Sequence, residues 1–199
     1  MGSLAGIASF GVKEKSEIIS DMLSSMKHRG TIKQIINQGL LSCGISVHLN
    51  NEISFRTSID DELQLYAAID GEFTSLSKGV DFWSESTQSD ADAIRQLYHL
   101  YGIEFLDYVD GCFAFALWDG KRRKLFLVRD RVGSKPLFYF QDQKNVFFAS
   151  EVKGLLSTRF CPREVDVAIL NDFLSFGYVP HPGTLFQNIR QVRPGRCLE

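Results

Sequence analysis

Seven residues, Cys112-Phe-Ala-Phe-Ala-Leu-Trp118, constrain this chain more than any others. A β-strand alternates its side chains between two faces. A run that is apolar at nearly every position therefore leaves neither face for water, and both must be covered. A charged turn follows, Asp119-Gly-Lys-Arg-Arg123, and then a second arm, Lys124 to Asp130. The segment reads as an antiparallel hairpin inside stacked layers, not as part of a one-sided sheet.

The surrounding pattern supplies the other layers. Ile19, Met22, Leu23 and Met26 fall at helical spacing within Ser16–Lys27, with Ser16 as a cap and Gly30 as the stop. A second helix is expected over Asp90–Tyr101, capped by Ser89 with Asp92 three residues on and closed by Gly102. Strands are expected at Leu40–Leu49 and at Leu63–Ile69, the latter cut off by a turn at Asp70-Gly71. A hairpin follows at Leu137–Phe140 and Val146–Ser150, with short helices at Glu151–Leu156 and Val167–Phe176. This order predicts an α+β fold, two antiparallel sheets face to face with helices outside.

Composition narrows the function classes. A net charge of −2 offers no basic field for a nucleic-acid backbone, and no apolar run approaches a membrane span. No secretory signal is visible, so a cytoplasmic protein is expected. Cys43, Cys112, Cys161 and Cys197 form no CxxC pair, which predicts buried thiols and no metal site.

Taken singly, the polar motifs are bland. Asp70-Gly71-Glu72 reads as a turn, His28-Arg29-Gly30 as a helix end, Asp90 as a helix-start residue and Arg129-Asp130-Arg131 as a charge cluster. Their ordered set says more. Met26-Lys-His-Arg-Gly30, Asp70-Gly-Glu72, Ser89-Asp90, Phe113-Ala-Phe-Ala-Leu-Trp-Asp119, Arg129-Asp-Arg-Val-Gly-Ser-Lys-Pro-Leu137, Phe148-Ala-Ser-Glu-Val-Lys153, Phe176-Gly-Tyr-Val-Pro180 and Pro194-Gly195 occur in sequence. Together they closely resemble the N-terminal glutaminase domain of glutamine-dependent asparagine synthetases, a class II glutamine amidotransferase of the Ntn-hydrolase fold.

The resemblance implies a four-layer αββα sandwich. It also implies a mechanism: an N-terminal Cys followed by Gly-Ile attacks the glutamine side-chain amide, with its own α-amino group as base. An Asn-Gly pair stabilises the oxyanion, an Arg holds the substrate carboxylate and an Asp its ammonium. Ammonia then passes to a C-terminal ATP-dependent domain. No cofactor is expected in the glutaminase half.

Carried over by position, the resemblance places the nucleophile at Ala5, before Gly6-Ile7. Asp70 and Gly71 fall at the oxyanion-hole positions, and Glu72 and Asp90 match. The carboxylate-binding Arg falls at His48, or at Arg56 if the loop is shifted. Thr31-Ile32 stand where the family has Pro-Asp. On this alignment Met1–Leu4 is a cloning remnant, residues 5–197 form the amidotransferase-like domain, and the synthetase domain lies outside the chain. Alanine supplies no nucleophile, and Asp70 would repel an oxyanion. Ala5 could be an engineered replacement, but several departures together favour a degenerate glutaminase. The expected ligand is glutamine or a related amino acid, and a homodimer is compatible. The other reading is a non-catalytic module for docking, dimerisation or sensing. A nucleophilic Ser3 is a third, remote option.

Overall fold

The computed structural model describes residues 2–48, 56–76, 87 and 89–199. These form two antiparallel sheets. The first is built from β1 (Gly2–Ser9), β2 (Ile32–Gln38), β3 (Leu41–Val47), β8 (Phe138–Gln141), β9 (Asn145–Ala149) and β10 (Ile189–Gln191), in the order β10-β8-β9-β1-β3-β2. The second is built from β4 (Thr57–Asp60), β5 (Leu65–Leu76), β6 (Val109–Asp119), β7 (Lys124–Arg129) and β11 (Cys197–Leu198), in the order β11-β7-β6-β5-β4.

Strand alternation sorts the side chains into three apolar layers. Between the sheets lie Leu4, Ile45, Ala68, Ala114, Ala116, Trp118 and Phe148. On the outer face of the first sheet, Ala5, Ile7 and Phe147 meet Ile19, Met22 and Met26 of α1 (Lys15–Ser25), with Leu155 of α3 (Val152–Leu156). On the outer face of the second, Ile69, Phe113, Phe115 and Leu117 meet Ile94, Leu97 and Tyr98 of α2 (Asp90–Tyr101). The result is the αββα sandwich. The Cys112–Trp118 run is the centre of β6, with phenylalanines toward α2 and alanines toward the other sheet.

Several local expectations need correction. β5 does not stop at Asp70; it pairs onward through Asp70↔Ala114 and Gly71↔Phe113. The strand continues because residue 71 is glycine. Its φ is +127°, and a Cβ there would sit 2.0 Å from the Cys112 carbonyl oxygen. α1 starts one residue before Ser16, with Glu14 left-handed at its N-cap and no side-chain cap. By contrast, Ser89 does cap α2, accepting the Asp92 N–H at 3.2 Å. Cys112 and Cys197 are exposed rather than buried. Gly2, Ser3 and Leu4 are buried members of β1, paired with Val47, Ser46 and Ile45. A remnant outside the domain does not describe them.

Candidate functional site

The polar groups converge where β1 begins. Side chains two apart on a strand share a face, so Tyr66, Ala68 and Asp70 all point into the layer between the sheets. Asp70 stands at its end, 1% exposed. Across the layer lies Gly2, whose N–H donates to Asp70 Oδ1 at 3.2 Å. Arg29 comes from the short 3-10 turn Lys27–Arg29 that follows α1. Its Nη2 donates to Asp70 Oδ2 at 3.0 Å and its Nε to the Gly2 carbonyl at 2.7 Å. The third nitrogen, Nη1, reaches Glu151 Oε1 at 3.3 Å. Ser150 closes the fourth side: its hydroxyl donates to Asp70 Oδ2 at 3.4 Å and accepts the Leu4 N–H at 2.8 Å.

Around this buried core lies a wetter shell. His28 Nε2 meets Glu151 Oε1 at 2.9 Å, and Lys153 Nζ lies 3.1 Å from Glu151 Oε2 and 3.2 Å from His28 Nδ1. Burial alone would push the Glu151 carboxyl up. The hydrogen bonds from Lys153 and His28 outweigh it and hold Glu151 below its usual range. His48 is exposed just past β3, its Nε2 3.2 Å from the His28 carbonyl oxygen.

A second group sits further along β5. Glu72 is exposed on the same face as Asp70. Asp90, at the first turn of α2, is partly buried, and that burial raises its carboxyl above the ordinary range. The Phe73 N–H and the Arg56 charge pull the other way, while Glu72 adds to the rise. The Arg56 backbone N–H donates to Gln34 Oε1 at 3.2 Å. Its buried Nη1 has no hydrogen-bond partner among the described residues. Of the two candidates for a substrate carboxylate, Arg56 is thus the one beside Asp90; His48 stands with His28.

Asp70, Gly71, Glu72 and Asp90 therefore fall in one neighbourhood. Ala5 does not join them. It lies mid-strand, flanked by Gly44 and Ala149, and its side chain packs outward among Ile19, Met22 and Leu23. Position 2 is the part of β1 that touches Asp70. Ser3 points to the opposite face, where its hydroxyl is 2.6 Å from that of Ser46; it is fully buried and away from Asp70. The roles of Gly2, Arg29 and Ser150 were missed by residue-level reasoning. The His28-Arg29-Gly30 and Phe148-Ala-Ser-Glu151 segments that carry the family resemblance were the available signal. Among the described residues, no group of three His, Cys, Asp or Glu side chains is arranged to hold a metal, and no helix is long and apolar enough to cross a membrane.

Comparison with known proteins agrees with this architecture. A family model described as a glutamine amidotransferase domain matches residues 64–199. Asparagine synthetase [glutamine-hydrolyzing] 2 of Bacillus subtilis is 30% identical over 100% of this chain and 29% of its own length. Asparagine synthetase [glutamine-hydrolyzing] 3 of the same organism is 36% identical over 55% of this chain and 18% of its own. Among solved structures, the glutamine phosphoribosylpyrophosphate amidotransferase of B. subtilis superposes with a TM-score of 0.57 at 17% identity, covering 78% of this chain and 43% of that one, a likeness of fold. The chain spans less than a third of the length of the two synthetases. Its sandwich, its convergent Asp70-Gly71-Glu72 strand and the match over most of its length place it in the glutamine amidotransferase domain family.

Proposed function

We propose that this domain is a glutaminase-type module of an asparagine synthetase-like protein that has lost hydrolysis and keeps its fold for a non-catalytic role. The observation that carries this reading is the contact between Gly2 and Asp70. In the family's mechanism a thiol at the start of β1 attacks the amide, beside a neutral amide side chain that supports the oxyanion. Here the residue facing position 70 has no side chain, and its N–H is 3.2 Å from a carboxylate. A full negative charge at Asp70, already paired with Arg29 at 3.0 Å, opposes a second negative charge forming beside it. Ala5, where the resemblance puts the nucleophile, likewise supplies no nucleophilic atom, and its side chain packs outward among Ile19, Met22 and Leu23.

Glu72, Asp90 and Arg56 support retained recognition of an amino acid. Two acids, Glu72 and Asp90, suit an ammonium, and a guanidinium whose Nη1 has no partner among the described residues suits a carboxylate. This reading needs no cofactor. It leaves asparagine formation to a synthetase module and places the protein in the cytoplasm.

The test is glutamate release. The purified chain, incubated with glutamine, is expected to produce no glutamate above the buffer rate, while calorimetry detects glutamine binding that Asp90→Ala removes. Steady turnover by the unaltered chain would overturn the loss of hydrolysis. Absence of binding would leave the scaffold role and discard the sensing one. A Gly2→Cys variant with Met1 removed tests the position directly; thioester chemistry by Ala5→Cys instead would return the nucleophile to residue 5.

A further inference from the structure

Where the chain crosses from one sheet to the other for the last time, it carries three arginines. β10 is an edge strand of the first sheet and β11 an edge strand of the second, and residues 192–196 link them. The link is fixed at several points. Val192 N–H donates to the Leu137 carbonyl and Gly195 N–H to the Asp130 carbonyl, both at 2.8 Å, and the Arg196 carbonyl accepts the Arg129 N–H at 3.2 Å. Buried Arg129 also holds the Val192 carbonyl through Nη1 at 3.0 Å. Gly195 takes the left-handed conformation, φ +63°, that lets the link bend. Exposed Arg190, Arg193 and Arg196 border one cleft of about 400 Å³, together with Tyr139, Pro182 and Val192. Arg190 stands directly opposite Tyr139 in the β10–β8 register, so the two side chains share a face.

No acidic residue lines this cleft, although the chain as a whole is slightly negative. Arg29, Arg95, Arg122 and Arg131 each meet a carboxylate. Among the described residues, the guanidinium groups of Arg190, Arg193 and Arg196 make neither an ion pair nor a hydrogen bond. The neighbouring acids are committed elsewhere. Glu199 pairs with Lys124, and the Asp130 carboxylate accepts the N–H groups of Phe113, Val132 and Ser134. Guanidinium forks take phosphate oxygens two at a time. A single carboxylate or phosphate would leave part of the set unpaired, whereas a diphosphate offers oxygens and charge enough for three. The cleft volume lies within the roughly 300–1,000 Å³ of small-molecule sites, and Tyr139 adds an aromatic wall for a planar ring carried on the phosphates. Charged edge strands also discourage pairing between sheets, but that task needs neither a shared cleft nor a pinned link. We infer that this cleft is a binding site for a small diphosphate compound. It shares no residue with the Asp70 cluster, and it does not depend on whether glutamine is bound or hydrolysed.

Calorimetric titration of the 199-residue chain with inorganic pyrophosphate, and separately with ADP, tests it. Saturable binding of one equivalent is expected. Arg193→Ala with Arg196→Ala should weaken it by at least about tenfold, the loss of more than one charge-assisted contact. Both side chains are exposed, so this variant should melt as the parent does. Lys121→Ala with Lys144→Ala removes the same charge from the exposed β6–β7 and β8–β9 turns and should leave the affinity within about twofold, since exposed charges at a distance are screened by salt. ADP binding no more tightly than pyrophosphate identifies the ligand as the free diphosphate. A gain with ADP that Tyr139→Leu abolishes identifies the nucleoside-borne form. Absence of saturable binding by either probe overturns the inference. So do equal losses in the two double variants, which would reduce the effect to overall charge.

Discussion

Replacing Asp70 by Asn restores the residue type that the family resemblance assigns to this position, yet the structure predicts that it weakens the fold. Asp70 is 1% exposed and accepts from three directions: Gly2 N–H, Arg29 Nη2 and the Ser150 hydroxyl. An amide presents one oxygen and one NH2. Whichever way it turns, a donor faces a donor, either Gly2 N–H or Arg29. Breaking a buried ion pair by removing one partner costs about 3–5 kcal/mol. Arg29 keeps the Gly2 carbonyl at 2.7 Å and Glu151 at 3.3 Å, which offsets part of the loss. A hydrogen bond to a charged group is worth about 1.5–3 kcal/mol, so Asp70→Asn should cost about 3 kcal/mol. Arg29→Met leaves the carboxylate with only Gly2 and Ser150 and should cost about as much or more. The two changes share one interaction, so the double variant should fall about 2 kcal/mol short of their sum. Urea denaturation of the four proteins measures this cycle. Asp70→Asn within about 0.5 kcal/mol of the parent, or strictly additive single changes, would refute the coupled buried pair.

Two further outcomes are expected. Phe115→Ala empties a fully buried site that stacks on Phe105 at 6.1 Å and tilts against Phe113 at 5.6 Å; a loss of about 3–5 kcal/mol is expected, read by thermal or urea melts. Glu151→Gln should cost more at neutral pH than in acid, where the carboxyl is protonated in both the folded and the unfolded chain. The carboxyl is held below its usual value of 4.5 by Lys153 and His28 despite burial. Its ionised form therefore adds stability above that value, lost as the pH falls through the lowered one. A variant whose destabilisation does not shrink as the pH falls would show that Glu151 acts through packing alone.

Much of this protein was legible in the linear chain because the deciding forces are local. The Cys112–Trp118 run has no polar face, and β6 is buried on both sides from Phe113 to Asp119. The helical spacing of Ile94, Leu97 and Tyr98 with Ser89 ahead of it became α2, its cap bond formed as read. Asp70-Gly71 misled because its turn-like composition is a local signal, while the strand is held open by pairing with β6, 42 residues further on in the register Gly71↔Phe113. Position 2 could not be found from the chain because β1 and β5 belong to different sheets. No hydrogen-bond ladder links them, and their mutual offset comes only from how the inner layer packs. The small-residue-Gly-Ile pattern at Ala5 was a sound local likeness, but a shift by an odd number of residues moves a side chain to the other face of its strand. Ala5 looks toward α1 and Gly2 toward Asp70. Apolar patterning along the chain was enough to require burial of the centre of β6 and of one face of α2; tertiary packing decided which backbone atom meets which carboxylate, because that distance is set by the docking of two sheets and by nothing along either strand.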